Sequence, residues 1–183
     1  VNDPPTFSVG DGVVSTAIGT GTDYAYSVVI QADGKILLAG NSVVSGFSDF
    51  ALVRYNSDGS LDTSFSSDGK LTTSIGAFDD YGKGVAVQAD GKILVTGYTY
   101  NGSNDDIALT RYNSDGTLDT TFSGDGMLTT AIGTSNDYAY SVTVQSDGKI
   151  LVAGNAFMGT DYDFVLVRYN SDGTLDTTFD GDG

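Results

Sequence analysis

The sequence predicts an all-β protein made of three tandem copies of one four-stranded repeat. The first observation is a fixed repeat period: QADGK begins at Gln31 and Gln88, and the related QSDGK begins at Gln145, with the same spacing. The second is that all 24 acidic residues are Asp, which favours turns, and none is Glu, which favours helix interiors. A period of this size indicates a supersecondary unit whose apolar face is covered by its neighbours.

Short segments rich in β-branched and aromatic residues are predicted as the strands of each copy. In the first copy these are a leader strand at 13–18 and further strands at 24–31, 35–40 and 49–56. Asp33-Gly34 separates the 24–31 and 35–40 strands, which is a strong hairpin signal because both residues tolerate positive φ. The leader strand of the second copy follows at 70–75.

Four short strands in a repeat of this length are typical of a β-propeller blade. Alternate positions of the 24–31 strand stay small, with Ala25 and Ser27 replaced by Gly82 and Gly84 in the second copy. Small residues suit a crowded innermost strand, so we expect 24–31 innermost, 35–40 second, 49–56 third and 70–75 at the outer edge. An open β-solenoid with the same strands stacked linearly is the alternative fold.

The predicted domain organisation is a linker at 1–12 and a three-repeat β domain at 13–183, with units of about 13–69, 70–126 and 127–183. The chain thus begins with a predicted outer strand and ends before the next outer strand would begin. Three blades are too few for a closed ring, because closed propellers have about four to eight blades. The chain is therefore expected either to be a segment of a longer protein or to self-associate. In the second case, the strand from Val13 to Ile18 of one copy would complete the blade containing the strand from Phe164 to Asn170 of another. Such head-to-tail contacts build a ring or a fibre.

Composition excludes several function classes. A net charge of −16 with no basic patch argues against nucleic acid and against anionic membranes, and no apolar run is long enough for membrane insertion. The chain lacks His, Cys and Glu, and therefore the usual general bases, thiol nucleophiles and zinc ligands. The acidic pair Asp79-Asp80 is predicted to be a solvated loop feature. The expectation is that the chain is not an enzyme and requires no cofactor.

A recurring Asp-rich turn is the candidate metal site. Oxygen side chains at alternate positions around a glycine resemble a calcium loop, although no bidentate Glu is present. The candidate ligands are Asn56, Asp58, Asp62, Asn113, Asp115, Asp119, Asn170, Asp172 and Asp176. The alternative interpretation is a set of Asx-turns, in which these side chains bond the local backbone. The recurring pair of Asp49 and Arg54 is predicted to form a structural ion pair.

Tyrosines at one end of the blades are the candidate ligand-binding residues. They are Tyr24, Tyr26, Tyr81, Tyr138 and Tyr140. Tyrosine together with Asp suits glycans, because a ring stacks on a pyranose while carboxylates accept from its hydroxyls. The alternative is packing between blades.

The combination YSVVIQADGKILLAG and DFALVRYNSDGSLDTSF resembles the bacterial delta-60 repeat, a propeller-like module of secreted and surface proteins. The resemblance covers all three copies. The first residues, VNDPPTF, are similar to junctions between cadherin-like or immunoglobulin-like modules of bacterial surface proteins. The resemblance implies an extracellular, structural or adhesive repeat protein. The alternative function is a carbohydrate- or protein-binding module of a large surface adhesin.

Overall fold

The computed structural model describes residues 12–183, and in these residues eleven antiparallel strands form three separate sheets. Blade 1 contains β1 (Asp23–Ile30), β2 (Ile36–Val44), β3 (Phe47–Tyr55) and β4 (Lys70–Thr73). Blade 2 contains β5 (Asp80–Val87), β6 (Ile93–Tyr100), β7 (Asp105–Tyr112) and β8 (Met127–Thr130). Blade 3 contains β9 (Asp137–Val144), β10 (Ile150–Phe157) and β11 (Tyr162–Tyr169). The predicted all-β repeat fold with propeller blades is confirmed, and no helical segment in residues 12–183 could traverse a bilayer.

Within each blade the strands are paired in chain order, as the sequence predicts. β2 is longer than the predicted strand at 35–40 and pairs with β3 as far as Val44 opposite Phe47. The connection is the two-residue turn Ser45-Gly46, and both residues have positive φ, 54° and 97°. Such a turn matches the twist of a hairpin, so it allows the two strands to extend to its edge.

The hydrophobic core lies between the blades. We call the face of a blade that points to the next blade along the chain its forward face, and the opposite face its rear face. Blades 1 and 2 meet in a buried cluster that includes Leu37, Phe50, Leu52, Phe65, Ile93 and Tyr112. Blades 2 and 3 meet in a second one that includes Leu94, Ile107, Leu109, Phe122, Ile150 and Tyr169. Each of these residues in the second cluster lies one repeat period after its counterpart in the first, so one packing arrangement is used twice.

The strands β1, β5 and β9 lie side by side across the blades, as expected for innermost strands. The amide of Val85 in β5 donates a 3.3 Å hydrogen bond to Oγ of Ser27 in β1. A Cβ on Gly82 would lie 2.4 Å from the carbonyl oxygen of Gly40 in blade 1, so the backbones approach too closely for a side chain. This close approach explains the small residues at alternate positions of the inner strand.

The segment 13–18, predicted as a leader strand, belongs to none of the strands in the described chain. Its counterparts in the next two copies are β4 and β8, which pair with β3 and β7. Within residues 12–183, no sheet precedes blade 1 for this segment to join. The VNDPPTF segment and the predicted linker at 1–12 lie outside the described residues, except for Gly12.

Candidate functional site

Each end of the three-blade array exposes a blade face whose equivalents are buried between blades inside the array. Phe164, on the forward face of blade 3, is 103% exposed, whereas its equivalents Phe50 and Ile107 are both 0% exposed. Val28, on the rear face of blade 1, is 63% exposed, whereas its equivalent Val85 is 9% exposed. The ends therefore present the same kinds of apolar side chain that pack together between the blades.

The segment 13–18 lies over the rear face of blade 1, where an outer strand lies over blades 2 and 3. The hydroxyl of Tyr55 donates a 2.7 Å hydrogen bond to Oγ1 of Thr16. The equivalent Tyr112 donates to Oγ1 of Thr73 in β4 at 2.8 Å. The segment therefore has the placement of an outer strand, although no described strand pairs with it.

A buried aspartate fixes the start of the inner strands. The carboxylate of Asp80 accepts the amide of Ile75 at 2.7 Å, and that of Asp23 accepts the amide of Ile18 at 3.0 Å. Asp80 is fully buried, and this burial raises its pKa. The prediction that the Asp79-Asp80 pair is solvated is therefore wrong. Asp80 recurs as Asp23, and Asp79 accepts a backbone amide of blade 1 at 2.8 Å.

A cluster of charges joins each blade to the next. In blade 1, Nε of Arg54 and Nζ of Lys35 lie 2.7 and 3.0 Å from Oδ2 of Asp62. The guanidinium lies 4.5 Å from the centre of the Phe65 ring, and its Nη1 donates to the carbonyl oxygen of Ser114 in blade 2. The cluster therefore stabilises the blade and its contact with the following blade together.

Hydrogen bonds keep Asp62 ionised. Burial alone would raise its pKa, but hydrogen bonds from Ser64 and Lys35 and the charge of Arg54 hold the pKa well below its usual range. Asp119 in blade 2 has the same pattern of causes, with Lys92, Thr121 and Arg111 as its partners.

The predicted pairing of Asp49 with Arg54 is wrong. The strand register places Asp49 opposite Ser42 and Arg54 opposite Leu37, toward opposite ends of β3. Burial and the nearby carboxylate of Asp80 raise the pKa of Asp49. Sequence reasoning missed the true partner of Arg54, which is Asp62. The carboxylate of Asp62 reaches β3 only because the turn between the two residues folds back on the strand.

Blade 3 keeps only the part of this cluster that lies within the blade. Nε of Arg168 donates to Oδ2 of Asp176 at 2.6 Å, and the guanidinium lies 4.3 Å from the centre of the Phe179 ring. Within residues 12–183, no following blade supplies the carbonyl oxygen that Arg54 and Arg111 each reach. The side chain of Arg168 is 19% exposed, compared with 6% for Arg111.

The candidate calcium residues form turns and ion pairs in the described chain. Oδ1 of Asp58 accepts both the amide and the hydroxyl of Ser60, at 2.9 and 2.6 Å, which is the geometry of an Asx-turn. Nδ2 of Asn56 donates to Oγ of Ser60 at 3.0 Å, and Asp62 holds Arg54. Residues 12–183 contain no group of three acidic side chains arranged to hold a metal. These contacts favour the Asx-turn interpretation, and calcium binding stays a prediction.

The predicted tyrosines lie at one end of the blades and form chains of aromatic contacts. Tyr24 and Tyr26 stack with their ring centres 6.2 Å apart, and Tyr138 lies 6.4 Å from Tyr140. Tyr98, which sequence reasoning did not select, connects Tyr81 to the second pair, because its ring lies 5.1 Å from Tyr81 and 4.7 Å from Tyr138. Burial raises the pKa of Tyr98 to about 12, and its hydroxyl therefore remains a hydrogen-bond donor at neutral pH.

Lys83 is the functional candidate that sequence reasoning missed. Seven of the eight Lys and Arg side chains lie within 4.0 Å of an Asp carboxylate, and in residues 12–183 only Lys83 has no such partner. Its Nζ lies 3.4 Å from the ring centre of Tyr26, 5.5 Å from that of Tyr81 and 5.6 Å from that of Tyr98. The signal in the sequence is that Tyr26 and Tyr140 occupy this position in the other two copies.

A β-bulge sets the direction of these three side chains. The register of each inner strand shifts at this position, between Ala25 and Ser27 in β1 and between Gly82 and Gly84 in β5. β9 has the same irregularity, where it pairs with β10 around Gly154. A bulge re-aims the side chain of its extra residue. Tyr26, Lys83 and Tyr140 thus project together from neighbouring inner strands, and they combine aromatic faces with one ammonium group.

A solved structure of a gluconolactonase from Xanthomonas campestris is similar to this chain, with a TM-score of 0.49 and 15% sequence identity. The match covers 91% of this chain and 51% of that structure, so the chain spans about half its length. The prediction that the chain is not an enzyme does not stand beside this match, because the matched structure is that of an enzyme, and the match carries no conclusion about the activity of this chain. At this identity the likeness concerns the fold alone. No curated protein matches the chain.

A family model described as "Domain of unknown function (DUF5122) beta-propeller" matches the chain three times. The matched residues are 31–65, 88–122 and 145–179, which recur with the repeat period of the sequence. Each match begins at the glutamine that directly follows an inner strand and includes the second and third strands and the Asp-rich turn. These matches cover more than half of the sequence, and the chain therefore belongs to the DUF5122 β-propeller family.

Proposed function

We propose that this protein is an extracellular structural or adhesive repeat module whose blades join those of further copies head to tail. The observation that carries the proposal is the match between its two end faces. Phe164 projects from one end, and the rear face around Val28 is exposed at the other. Inside the array, the equivalent residues Phe50 and Val85 are buried in one cluster.

The apolar contribution to such a contact is considerable. Covering an exposed Phe or Leu side chain contributes about 1.5–3 kcal/mol. At one end, Phe164 is fully exposed and Leu166 is 50% exposed. At the other end, Val28 and Ile30 are 63% and 70% exposed. Soluble proteins seldom leave a contiguous apolar face and an unpaired sheet edge open at once.

The location outside the cell is supported by the resemblance to delta-60 repeats of secreted and surface proteins. The similarity of VNDPPTF to junctions between modules of surface proteins supports the same location. A net charge of −16 suits an exposed repeat protein, because self-repulsion keeps it soluble. The same charge makes assembly dependent on salt, which screens repulsion between copies.

Sedimentation of the wild-type chain and two variants tests the proposal. Phe164→Asp places a charge on the forward face of blade 3, and Met158→Asp places one on an exposed loop side chain outside that face, which is 55% exposed. We expect the wild type and Met158→Asp to sediment as multiples of 19.0 kDa and Phe164→Asp as the single chain. Monomers in all three samples, or assembly of Phe164→Asp, would contradict the proposal.

A second candidate function is the binding of acidic saccharides at the aromatic end. It is favoured by Lys83, the ammonium group that has no carboxylate partner in the described chain and lies among tyrosine rings. Tyr26 and Tyr140, 50% and 49% exposed, flank it with accessible ring faces. Tyrosine rings provide an apolar face for a sugar ring, and an ammonium provides an ionic partner for a uronate carboxylate.

Calorimetric titration with a galacturonate oligomer tests this second function. Lys83→Gln is expected to weaken binding at least tenfold, because it removes the ionic contact. Lys70→Gln is the matched control, because it changes the net charge equally while Lys70 pairs with Asp68 and lies in the outer strand β4. Equal weakening by both variants, or equal binding of a neutral galactose oligomer, would exclude the site.

A further inference from the structure

A cleft of about 840 Å³ lies where the three inner strands end, away from the tyrosine rings at their beginning. Each inner strand contributes two residues to it, the apolar residue that ends the strand and the glutamine that follows. These are Ile30 with Gln31, Val87 with Gln88, and Val144 with Gln145. The pairs recur with the repeat period, and the three glutamines are the only ones in the sequence. The cleft is therefore built from the same two positions of every repeat.

The three glutamines share an unsatisfied hydrogen-bonding group. Oε1 of each side chain is buried and has no hydrogen-bond partner within residues 12–183. A buried acceptor without a donor lowers the free energy of unfolding, and native proteins contain few such groups. Because the same unpartnered acceptor occurs in all three blades, these carboxamides are candidates for contact with a bound molecule.

A carboxamide is suited to the main chain of an extended peptide. It carries an acceptor and a donor in one plane, and the torsion that turns this plane is broad. Rotation of the terminal group therefore brings Oε1 to the surface of the cleft at little cost. One residue of an extended chain presents its N–H and C=O groups on the same side, as in a hydrogen-bonded pair of strands. These two groups match Oε1 and Nε2 of one glutamine.

Lys92 brings a positive charge to the cleft. Its Nζ lies 2.8 Å from Oδ2 of Asp119, and Nε of Arg111 lies 2.7 Å from the same oxygen, so two cations share one carboxylate. The side chain of Lys92 is 28% exposed. Its equivalent Lys35, in a smaller cleft of about 470 Å³, has a second carboxylate, that of Asp33, at 3.8 Å. An ammonium carries three donors, so Lys92 keeps donors for an anionic group.

The lining of the cleft favours a peptide over a saccharide. Sugar rings stack on aromatic faces, and none of the described residues that line the cleft is aromatic. The aromatic faces of the inner strands lie near their other end, around Lys83. Aliphatic walls with a few placed polar groups, in a volume of about 300–1,000 Å³, are typical of ligand sites.

We propose that this cleft binds an extended peptide that ends in a free carboxylate. The carboxylate lies against Nζ of Lys92, and main-chain N–H and C=O groups of the peptide pair with the glutamine carboxamides. Aliphatic side chains of the peptide pack on the apolar residues that end the inner strands. Main-chain hydrogen bonds provide affinity in such recognition, and the apolar walls provide selectivity. The site is separate from the end faces and from the tyrosine rings, so it goes beyond the proposed function.

Nuclear magnetic resonance titration with a short peptide tests the site. The probe is acetyl-Ala-Val-Ala with a free carboxylate, and the matched probe is the same peptide with a C-terminal amide. Since every glutamine of the sequence lines the cleft, labelling glutamine side chains with nitrogen-15 observes this site alone. We expect the signals to shift with the acid, and the amide to bind about tenfold or more weakly because it lacks the ionic contact.

Two lysine variants separate the cleft from the charge cluster behind it. Lys92→Met is expected to weaken binding of the acid about tenfold or more and to remove its advantage over the amide. Lys149→Met is the matched control, because Lys149 has the same exposure, 28%, and pairs with Asp176 at 2.6 Å as Lys92 pairs with Asp119. Lys149 does not line the cleft, so its variant should bind the acid like the wild type.

Gln88→Met distinguishes a ligand contact from a structural role. Methionine keeps the length of the side chain and removes the unpartnered acceptor, so the variant should be as stable as the wild type or more stable. The same variant should lose about tenfold or more in affinity for the acid. If it does not fold, Gln145→Met provides the same comparison in the third blade.

Three results would overturn the proposal. The first is a titration in which the acid shifts none of the glutamine signals. The second is a glutamine variant that is less stable than the wild type and binds the acid equally well, since the carboxamides would then be structural. The third is galacturonate that binds the cleft more tightly than the tripeptide, because the site would then recognise a saccharide.

Discussion

The hydroxyl of Tyr55 donates a 2.7 Å hydrogen bond to Oγ1 of Thr16, 39 residues earlier in the chain. Tyr112 bonds to Thr73 at 2.8 Å across the same separation. Thr73 belongs to the outer strand of the preceding blade, so this tyrosine attaches each blade to the edge of the blade before it. At Tyr55 the attachment exists although the preceding blade is absent from the described chain.

Removal of the Tyr112 hydroxyl is expected to destabilise the protein. Both Tyr112 and Thr73 are buried, so Tyr112→Phe leaves the threonine hydroxyl without its partner, at a cost of about 1–2 kcal/mol. Tyr55→Phe is the matched control, since Thr16 is half-buried and water can replace the lost bond, which limits the cost to about 0.5 kcal/mol. Urea unfolding measures both. Equal losses for the two variants would show that the bond to the leader is as protected as the one between blades.

Truncation of Phe179, in blade 3, should lower the free energy of unfolding markedly only when copies assemble. Phe122 is fully buried against blade 3, so Phe122→Ala is expected to cost about 3–5 kcal/mol of stability. Phe179 has the same position in blade 3 but is only half-buried, and Phe179→Ala is expected to cost about 1 kcal/mol or less in the single chain.

The comparison is made by urea unfolding at low and high protein concentration. If Phe179 packs on a second copy, Phe179→Ala becomes markedly more destabilising as concentration rises. A cost that does not change with concentration would indicate that its ring stays outside any interface.

Acid should weaken the buried charge cluster in a defined pH range. The pKa of Asp119 lies well below its usual range because hydrogen bonds from Lys92 and Thr121 and the charge of Arg111 outweigh the effect of burial. A lowered pKa in the folded state adds stability above the unfolded value of about 3.9, and this stability is lost as the pH falls through the lower folded value.

Asp119→Asn is therefore expected to cost about 3 kcal/mol at pH 7, because it leaves Arg111 and Lys92 without a carboxylate. Below about pH 4 the difference from the wild type should narrow, since the wild type loses the same charge by protonation. Urea unfolding between pH 2 and pH 7 measures both curves. A difference that stays constant to the lowest pH would mean that Asp119 does not titrate with unfolding.

Calcium is tested by heating the protein with the metal and with a chelator. A metal bound at one hundred times its dissociation constant would add about 2.7 kcal/mol to the free energy of unfolding. Since Asp58 and Asp62 already accept hydrogen bonds from their own turn and from Arg54, we expect no change in Tm. A rise that saturates with calcium, and is abolished in Asp58→Asn, would show that the turns are metal sites.

Much of the fold could be predicted from the sequence because the repeat imposes it. The constant repeat period, the Asp-Gly turns and the small positions of the inner strand were enough for the blades and their strand order. The ion pair of Arg54 with Asp62 was missed because it depends on a turn that brings distant positions together. The position of Lys83 among the tyrosine rings was missed because a β-bulge, which no local pattern marks, directs its side chain. The segment at 13–18 was predicted as a strand, but a strand needs a neighbouring edge.

Amide hydrogen exchange of the leader peptide at 13–18, followed over a range of protein concentrations, is the sharpest test of head-to-tail assembly. We expect its amides to become protected as the concentration rises, and we expect this protection to be lost in Phe164→Asp. A leader whose exchange rates do not change with concentration would mean that it contacts no second copy, and would contradict head-to-tail assembly.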